Sequence, residues 1–116
     1  MMKNYPNIKK ISKEIASDRQ KQSLVIDVEN TIVTKIDINN SIELQELRKS
    51  QEYKNNFIEV KLSPTKIQVY EIRPYVYEFL RAIEPFFEII MYSCLHHEIL
   101  EQIVDHLEEI LNQPAN

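Results

Sequence analysis

The stretch that decides the fold is Leu24-Val25-Ile26-Asp27-Val28-Glu29-Asn30-Thr31. Its first three residues form an apolar run, which predicts a buried strand over residues 23–28 that delivers the carboxylate of Asp27 to the strand's carboxyl end. Ligands and reacting groups gather at that end of an open parallel sheet. Glu29 follows two residues later, within reach of the same site. One acid is therefore a candidate nucleophile or metal ligand, and the other a candidate proton donor.

The apolar patterns on both sides of this stretch alternate between strand and helix. Further strands are predicted over residues 57–62, 66–72 and 87–92, the first two of them joined as a β-hairpin by Ser63-Pro64-Thr65. Helical spacing predicts helices over residues 8–20, between Pro74 and Pro85, and over residues 96–111. In the second helix the predicted core-facing residues are Val76, Phe79, Leu80 and Ile83. The polar segment between residues 34 and 56 carries a weak helical pattern from Ile42 to Leu47.

Length and composition limit the kinds of protein that this chain can be. With 116 residues it is one small domain, and its net charge of −4 gives no argument for nucleic-acid binding. No apolar run approaches the roughly 18 residues of a membrane span. The single cysteine, Cys94, excludes an internal disulfide and is expected to be a buried thiol. Because the chain has no glycine, its turns must use Asn, Ser, Pro or Asp.

Four blocks of sequence, in order, resemble a known enzyme family. Residues 27–31 resemble motif I, D-x-D-x-T, of the haloacid-dehalogenase (HAD) phosphohydrolases. The hairpin, the segment from Arg73-Pro74 to Leu80, and the run 87–93 are similar to the small CTD phosphatases, the HAD branch that dephosphorylates the RNA polymerase II tail. The resemblance covers about residues 22–111. It implies an α/β fold, a HAD-like three-layer sandwich with a central parallel sheet and a β-hairpin flap, between an N-terminal extension at residues 1–21 and a tail at 112–116.

The resemblance also implies a role for each residue of the motif. Asp27 would attack phosphorus and form an aspartyl phosphate, and Glu29 would protonate the leaving alkoxide in place of the family's usual Asp. Magnesium would be held by Asp27 and by the backbone carbonyl at Glu29. Thr31 would orient the loop, and Ser93 would donate a hydrogen bond to a phosphoryl oxygen. Arg73 is expected to have a structural role near the mouth of the site.

Two features of the family are missing from this sequence. The family uses a lysine after motif II to hold the phosphoryl group and an acidic pair further on to complete the magnesium site, whereas the last lysine here is Lys66. Asp105 and Glu109 fall on the polar face of the last predicted helix, so they are expected to be solvated. We therefore expect a domain truncated after the motif II strand and helix, weakly active or inactive by itself.

The missing strands have a consequence for partners. Without a neighbour on its other side, the motif I strand would be an apolar edge that pairs with another chain, either in a homodimer or with a polypeptide partner. The enzyme interpretation requires a phosphoprotein substrate. The alternative is a non-catalytic protein-binding module of the same fold, because the inactive relatives include a receptor of the mitochondrial import translocase. A partial gene product is a third interpretation. The expected location is intracellular, in the nucleus by resemblance or in the mitochondrion under the alternative.

Overall fold

The computed structural model describes residues 7–10 and 22–113. Over these residues the strands are β1 (Asn7–Lys10), β2 (Gln22–Asp27), β3 (Val33–Ile36), β4 (Phe57–Ser63), β5 (Lys66–Ile72) and β6 (Phe87–Ser93). The helices are α1 (Ser41–Arg48), α2 (Tyr53–Asn56), α3 (Val76–Ile83) and α4 (His97–Leu111). The fold is therefore mixed α/β, as predicted. No helix of the described part is long and apolar enough to cross a membrane.

The first sheet carries the motif I strand at its edge, in the order β1-β6-β2. Strands β2 and β6 are parallel, with Leu24 opposite Ile89 and Asp27 opposite Tyr92. The parallel pairing confirms the predicted α/β class. Among the described strands β2 has a neighbour on one side only, which confirms the expected open edge.

Strand β1 corrects the prediction of a helix over residues 8–20. Residues 7–10 pair antiparallel with the other side of β6, from Asn7 opposite Ser93 to Lys10 opposite Ile90. Short helices are marginal in water, and a strand that supplies β6 with backbone partners overrides a helical spacing of apolar residues. The remainder of the predicted helix, residues 11–20, lies outside the described residues.

The second sheet has the order β3-β5-β4 and contains the predicted hairpin. Strands β4 and β5 are antiparallel, with a register shift between Lys61 and Ser63 near the turn. Strand β3 also pairs antiparallel with β5, from Val33 opposite Ile72 to Ile36 opposite Val69. The polar segment that begins at residue 34 did not reveal this strand. Four residues are too few for an alternating pattern to be recognised, and β5 supplies the pairing.

The open edge of β4 is covered by a side chain from α4. The Lys61 N–H donates to Gln102 Oε1 at 2.8 Å, and Gln102 Nε2 donates to the Lys61 carbonyl at 3.0 Å. A side-chain amide carries a donor and an acceptor, so it can stand in for one residue of a neighbouring strand. The edge of β4 is thereby partly closed within the chain.

A charged cluster fastens α1 to the hairpin. Arg48 donates to Glu59 through two nitrogens, each at 2.6 Å, and the Tyr53 hydroxyl donates to the same carboxylate at 2.6 Å. The hydrogen bonds from Arg48, above all, and from Tyr53 lower the pKa of Glu59 against the opposing effect of burial. The helix α1 begins after Asn40, whose side chain accepts from the Glu43 N–H at 2.9 Å.

Both sheets pack around one apolar core. Helix α4 matches its prediction within one residue, and its buried face consists of Leu100, Ile103, Val104, Leu107 and Ile110. Helix α3 contributes Val76 and Leu80 to the same cluster. The prediction that Phe79 belongs to the core is wrong, since 45% of this residue is exposed. Cys94 is also exposed, which corrects the expectation of a buried thiol.

Candidate functional site

Asp27 lies at the end of β2, beside an open groove of about 390 Å³. The groove runs along the edge of β2 and is lined by Leu24, Val25, Ile26, Asp27, Thr31, Ile32, Pro74, Tyr75, Val76 and Phe79. Of these residues, Asp27 is the one that carries a titratable carboxyl group. The structure therefore brings Asp27 and Thr31 together, within a largely apolar surface.

The loop after β2 is closed by backbone hydrogen bonds. The N–H groups of Ile32 and Val33 donate to the Val28 carbonyl at 2.8 and 3.1 Å, and the Asn30 N–H donates to the Val33 carbonyl at 2.6 Å. Asn30 has a φ of 67°, in the left-handed region that Asn tolerates better than most residues. In a chain without glycine, Asn supplies this tight turn, as the composition predicts.

Arg73 ties this loop to the end of β5. Its N–H donates to the Ile32 carbonyl at 2.9 Å, and its Nη1 donates to the Asn30 carbonyl, also at 2.9 Å. Two bonds from one residue hold the loop that follows Asp27. This geometry agrees with the structural role predicted for Arg73.

Glu29 does not line the groove with Asp27. The residue is half-buried, and its charge acts on Tyr70, a buried residue of β5. Burial raises the pKa of the Tyr70 hydroxyl, and the charge of Glu29 raises it further. The two acids of the motif thus face different surroundings, which the spacing of two residues in the sequence did not predict. The loop after β2 explains the difference, because Glu29 forms an isolated bridge with Val33 and does not extend β2.

Ser93 is buried at the end of β6 and also lies outside the lining of the groove. It follows Tyr92, the residue opposite Asp27 in the sheet. Its Oγ accepts a hydrogen bond from the Leu95 N–H at 2.9 Å, so one of its lone pairs is occupied by the turn that leads to α4. The hydroxyl keeps a hydrogen that it can donate. In this arrangement Ser93 acts first as a turn residue.

The carboxylates as arranged here do not fit the magnesium site that the resemblance implies. Magnesium takes oxygen ligands in near-octahedral geometry, often one or two carboxylates beside a substrate phosphate. No group of three His, Cys, Asp or Glu side chains in the described ranges could hold a metal ion. Of the residues that the structure describes, Asp27 is the one carboxylate that lines the groove, so together with the backbone carbonyl at Glu29 the chain supplies only two of the ligands that the resemblance implies.

Two aromatic residues of the groove were missed as site residues. Tyr75 has a φ of 67° although it is not glycine, and 78% of it is exposed. Phe79, one helical turn later, lines the same surface. Backbone strain at a bulky residue is concentrated at sites where the surrounding structure enforces it. The absence of glycine after Arg73-Pro74 was the available signal for Tyr75.

The sequence matches the model of a known protein family. A model described as NLI interacting factor-like phosphatase matches residues 22–112, most of the chain. No curated protein and no solved structure matches the chain. The matched range begins at β2 and ends just after α4, so it contains the groove, the hairpin and the motif I loop.

Proposed function

Because this chain belongs to the family of NLI interacting factor-like phosphatases, we propose that it is a CTD-phosphatase-like domain with weak or no phosphatase activity by itself. The observation that carries the proposal is the separation of the motif's groups. Asp27 and Thr31 line the groove, whereas Glu29 and Ser93 do not. The nucleophile position is open to a substrate, and two of the groups expected to assist it do not line the same groove.

The first step of the family reaction depends on Asp27. A carboxylate oxygen would form a bond to the phosphorus of a phosphoserine or phosphothreonine as the bond from phosphorus to the side-chain oxygen breaks. The exposed side chain of Asp27 makes this attack sterically possible. Its position at the carboxyl end of a strand parallel to β6 agrees with where ligands bind to such sheets.

The proton donor is the first weak point. The leaving alkoxide needs a proton from an acid within about 3 Å, directly or through one water. Glu29 is the acid that the motif supplies, but it is not among the residues that line the groove. A displacement of about 1 Å in a reacting group can reduce the rate roughly a hundredfold.

The second weak point is the charge on the phosphoryl group. No lysine or arginine lines the groove in the described part of the chain. Arg73, the cation that bonds the loop after β2, already donates to the Asn30 carbonyl. Removing one stabilising donor from a reaction of this type costs on the order of a hundred- to a thousandfold in rate. Both weaknesses together support low activity.

Hydrolysis of an aryl phosphate by the purified chain, with and without added magnesium, tests the proposal. Asp27→Asn removes the nucleophile, and Asp105→Asn is the matched control because Asp105 is an exposed residue of α4 outside the groove. We expect the parent chain and the control to share a rate that is at most weakly above that of Asp27→Asn. A magnesium-dependent kcat of about 1 s⁻¹ or more, as is typical of enzymes, that Asp27→Asn abolishes and Asp105→Asn preserves, from chains with matching circular dichroism, would overturn the proposal.

A second candidate function is polypeptide binding at the groove. The apolar lining favours it, since seven of the ten lining residues have wholly apolar side chains and only Asp27, Thr31 and Tyr75 carry a polar group. Exposed apolar surface beside an open strand edge is typical of sites where a further strand is added. Such binding should survive Asp27→Asn, whereas catalysis should not.

A further inference from the structure

We propose that the open edge of β2 pairs antiparallel with β2 of a second copy of this chain, with Val25 opposite Val25 at the two-fold axis. The inference rests on the second candidate function, polypeptide binding at the groove, and names the polypeptide. It is independent of whether Asp27 turns over phosphate.

The backbone of β2 offers a regular set of free groups at this edge. The Val28 N–H donates to the Tyr92 carbonyl at 3.1 Å, so Val28 directs its backbone towards β6. Because successive residues of a strand alternate in direction, Ser23, Val25 and Asp27 direct their N–H and C=O groups away from β6. Among the described strands none pairs with β2 on that side.

A two-fold axis at Val25 gives all three of these residues a backbone partner in the second copy. Ser23 of each copy then lies opposite Asp27 of the other, and Val25 lies opposite itself, so three residue pairs can exchange backbone hydrogen bonds. Moving the axis by one residue in either direction leaves one of the three without a strand partner. The sequence of the edge is thus self-complementary, as an interface between identical copies must be.

The charges of the edge also favour this register. An axis at Asp27 would bring two carboxylates face to face, and like charges directly opposite each other are destabilising. With the axis at Val25, each Asp27 faces a neutral hydroxyl. That hydroxyl, of Ser23, already donates its hydrogen to Glu88 of its own copy at 2.8 Å, so it separates the two carboxylates without donating to Asp27.

The side chains that this pairing would cover are apolar and exposed. Val25 is 55% exposed in the middle of the strand, and Phe79 is 45% exposed on the adjacent helix α3. Leu24 would lie opposite Ile26 of the second copy, so the same register pairs apolar residues with one another. Removing this apolar surface from water would favour the association.

The pairing would bring a residue of the second copy to the candidate site. Side chains directly opposite each other in an antiparallel pair have Cβ atoms about 4.5–5.5 Å apart. Ser23 of the second copy would therefore stand beside Asp27 and narrow the mouth of the groove. Any phosphorylated peptide would have to approach from the remaining open side.

Light scattering and sedimentation of the full chain over a wide concentration range test the proposal. Val25→Lys places a charge at the axis, and Leu62→Lys is the matched control because Leu62 is 48% exposed on β4, an edge strand of the other sheet. We expect the parent and Leu62→Lys to dimerise, and Val25→Lys to raise the dimer dissociation constant at least tenfold. A parent chain that stays monomeric, or a Val25→Lys variant that dimerises as well as the parent, would overturn the proposal.

Disulfide trapping tests the register without relying on the stability of the lysine variant. In a Cys94→Ser background, Val25→Cys should form a dimer on mild oxidation, since directly opposed Cα atoms lie about 5.5 Å apart, within disulfide range. Asp27→Cys should not form a disulfide dimer. In this register each Asp27 lies opposite Ser23 of the other copy, so the two cysteines would be four residues apart along the strand. Equal trapping at both positions would refute the register. Turnover plays no part in either readout, so failure here leaves the proposal of weak phosphatase activity unaffected.

Discussion

The edge strands β4 and β2 differ in how their outer backbone N–H and C=O groups are covered. In β4, Gln102 bonds both backbone groups of Lys61, and Val60 is completely buried. In β2, no described strand pairs with the outer backbone groups, and Val25 is 55% exposed. The comparison shows that position at the edge of a sheet does not decide exposure. Coverage of the outer backbone groups depends on whether another element of the chain reaches the edge. The exposure of a side chain depends also on the face of the sheet on which it lies, since Ile26 of β2 is 7% exposed and Leu62 of β4 is 48% exposed.

The largest expected effect on stability comes from truncating Val60 of β4 to alanine, compared with the same change at Val25 of β2. Val60→Ala should lower the free energy of unfolding by about 2–3 kcal/mol, since two buried methyl groups contribute about 0.8 kcal/mol each before the cavity is counted. Val25→Ala should change it by less than about 0.5 kcal/mol in the monomer. Urea unfolding at a concentration where the chain is monomeric measures both. Equal losses in the free energy of unfolding of the two variants would contradict the difference inferred between the two strands.

A smaller effect is expected when the covering side chain of β4 is removed. Gln102→Ala deletes both hydrogen bonds to Lys61 and should lower the free energy of unfolding by about 1 kcal/mol, because water can replace them at this exposed position. The Lys61 amide should also exchange its hydrogen faster. Asp105→Ala on the same helix is the control. An unchanged exchange rate at Lys61 would mean that the edge is protected by another element.

The charged cluster beside β4 should make the stability of this region depend on pH. The hydrogen bonds from Arg48 and Tyr53 depress the folded-state pKa of Glu59. Its contribution to stability is therefore fully present above the carboxyl group's ordinary pKa and is lost as the pH falls through the depressed folded value. Glu59→Gln should be less stable than the parent at neutral pH, and the difference should narrow in acid. Unfolding curves at several pH values measure it, and a difference independent of pH would contradict the assigned cause.

Elements with their own periodic pattern could be predicted from the sequence. The hairpin alternates along both strands and α4 keeps an apolar face over four turns, so their residues decide their structure locally. β1 and β3 were missed because each has four residues and owes its conformation to a partner strand. The family resemblance, made from blocks in order, is confirmed by the family model.

The candidate site could be predicted only in part. Asp27 and Thr31 share a surface, as the motif suggested, but the spacing between Asp27 and Glu29 could not reveal that the second acid is not among the residues lining that surface. The turn after β2 depends on Asn30 in the left-handed region and on the bonds from Arg73, which lies 43 residues away. The roles of all four motif residues in catalysis stay predictions.

The pairing of β2 with β6 also has a consequence for the order of folding. Strands β4 and β5 are joined by Pro64 and Thr65 alone, whereas Ser23 and Glu88, opposite each other in β2 and β6, are 65 residues apart. Closing the longer loop carries the greater entropic cost, and hairpins form within microseconds. We expect the hairpin to form early and β2 to dock late. The strand that carries Asp27 would then be the first to detach in partial unfolding, which makes it the segment most exposed to proteases and to aggregation.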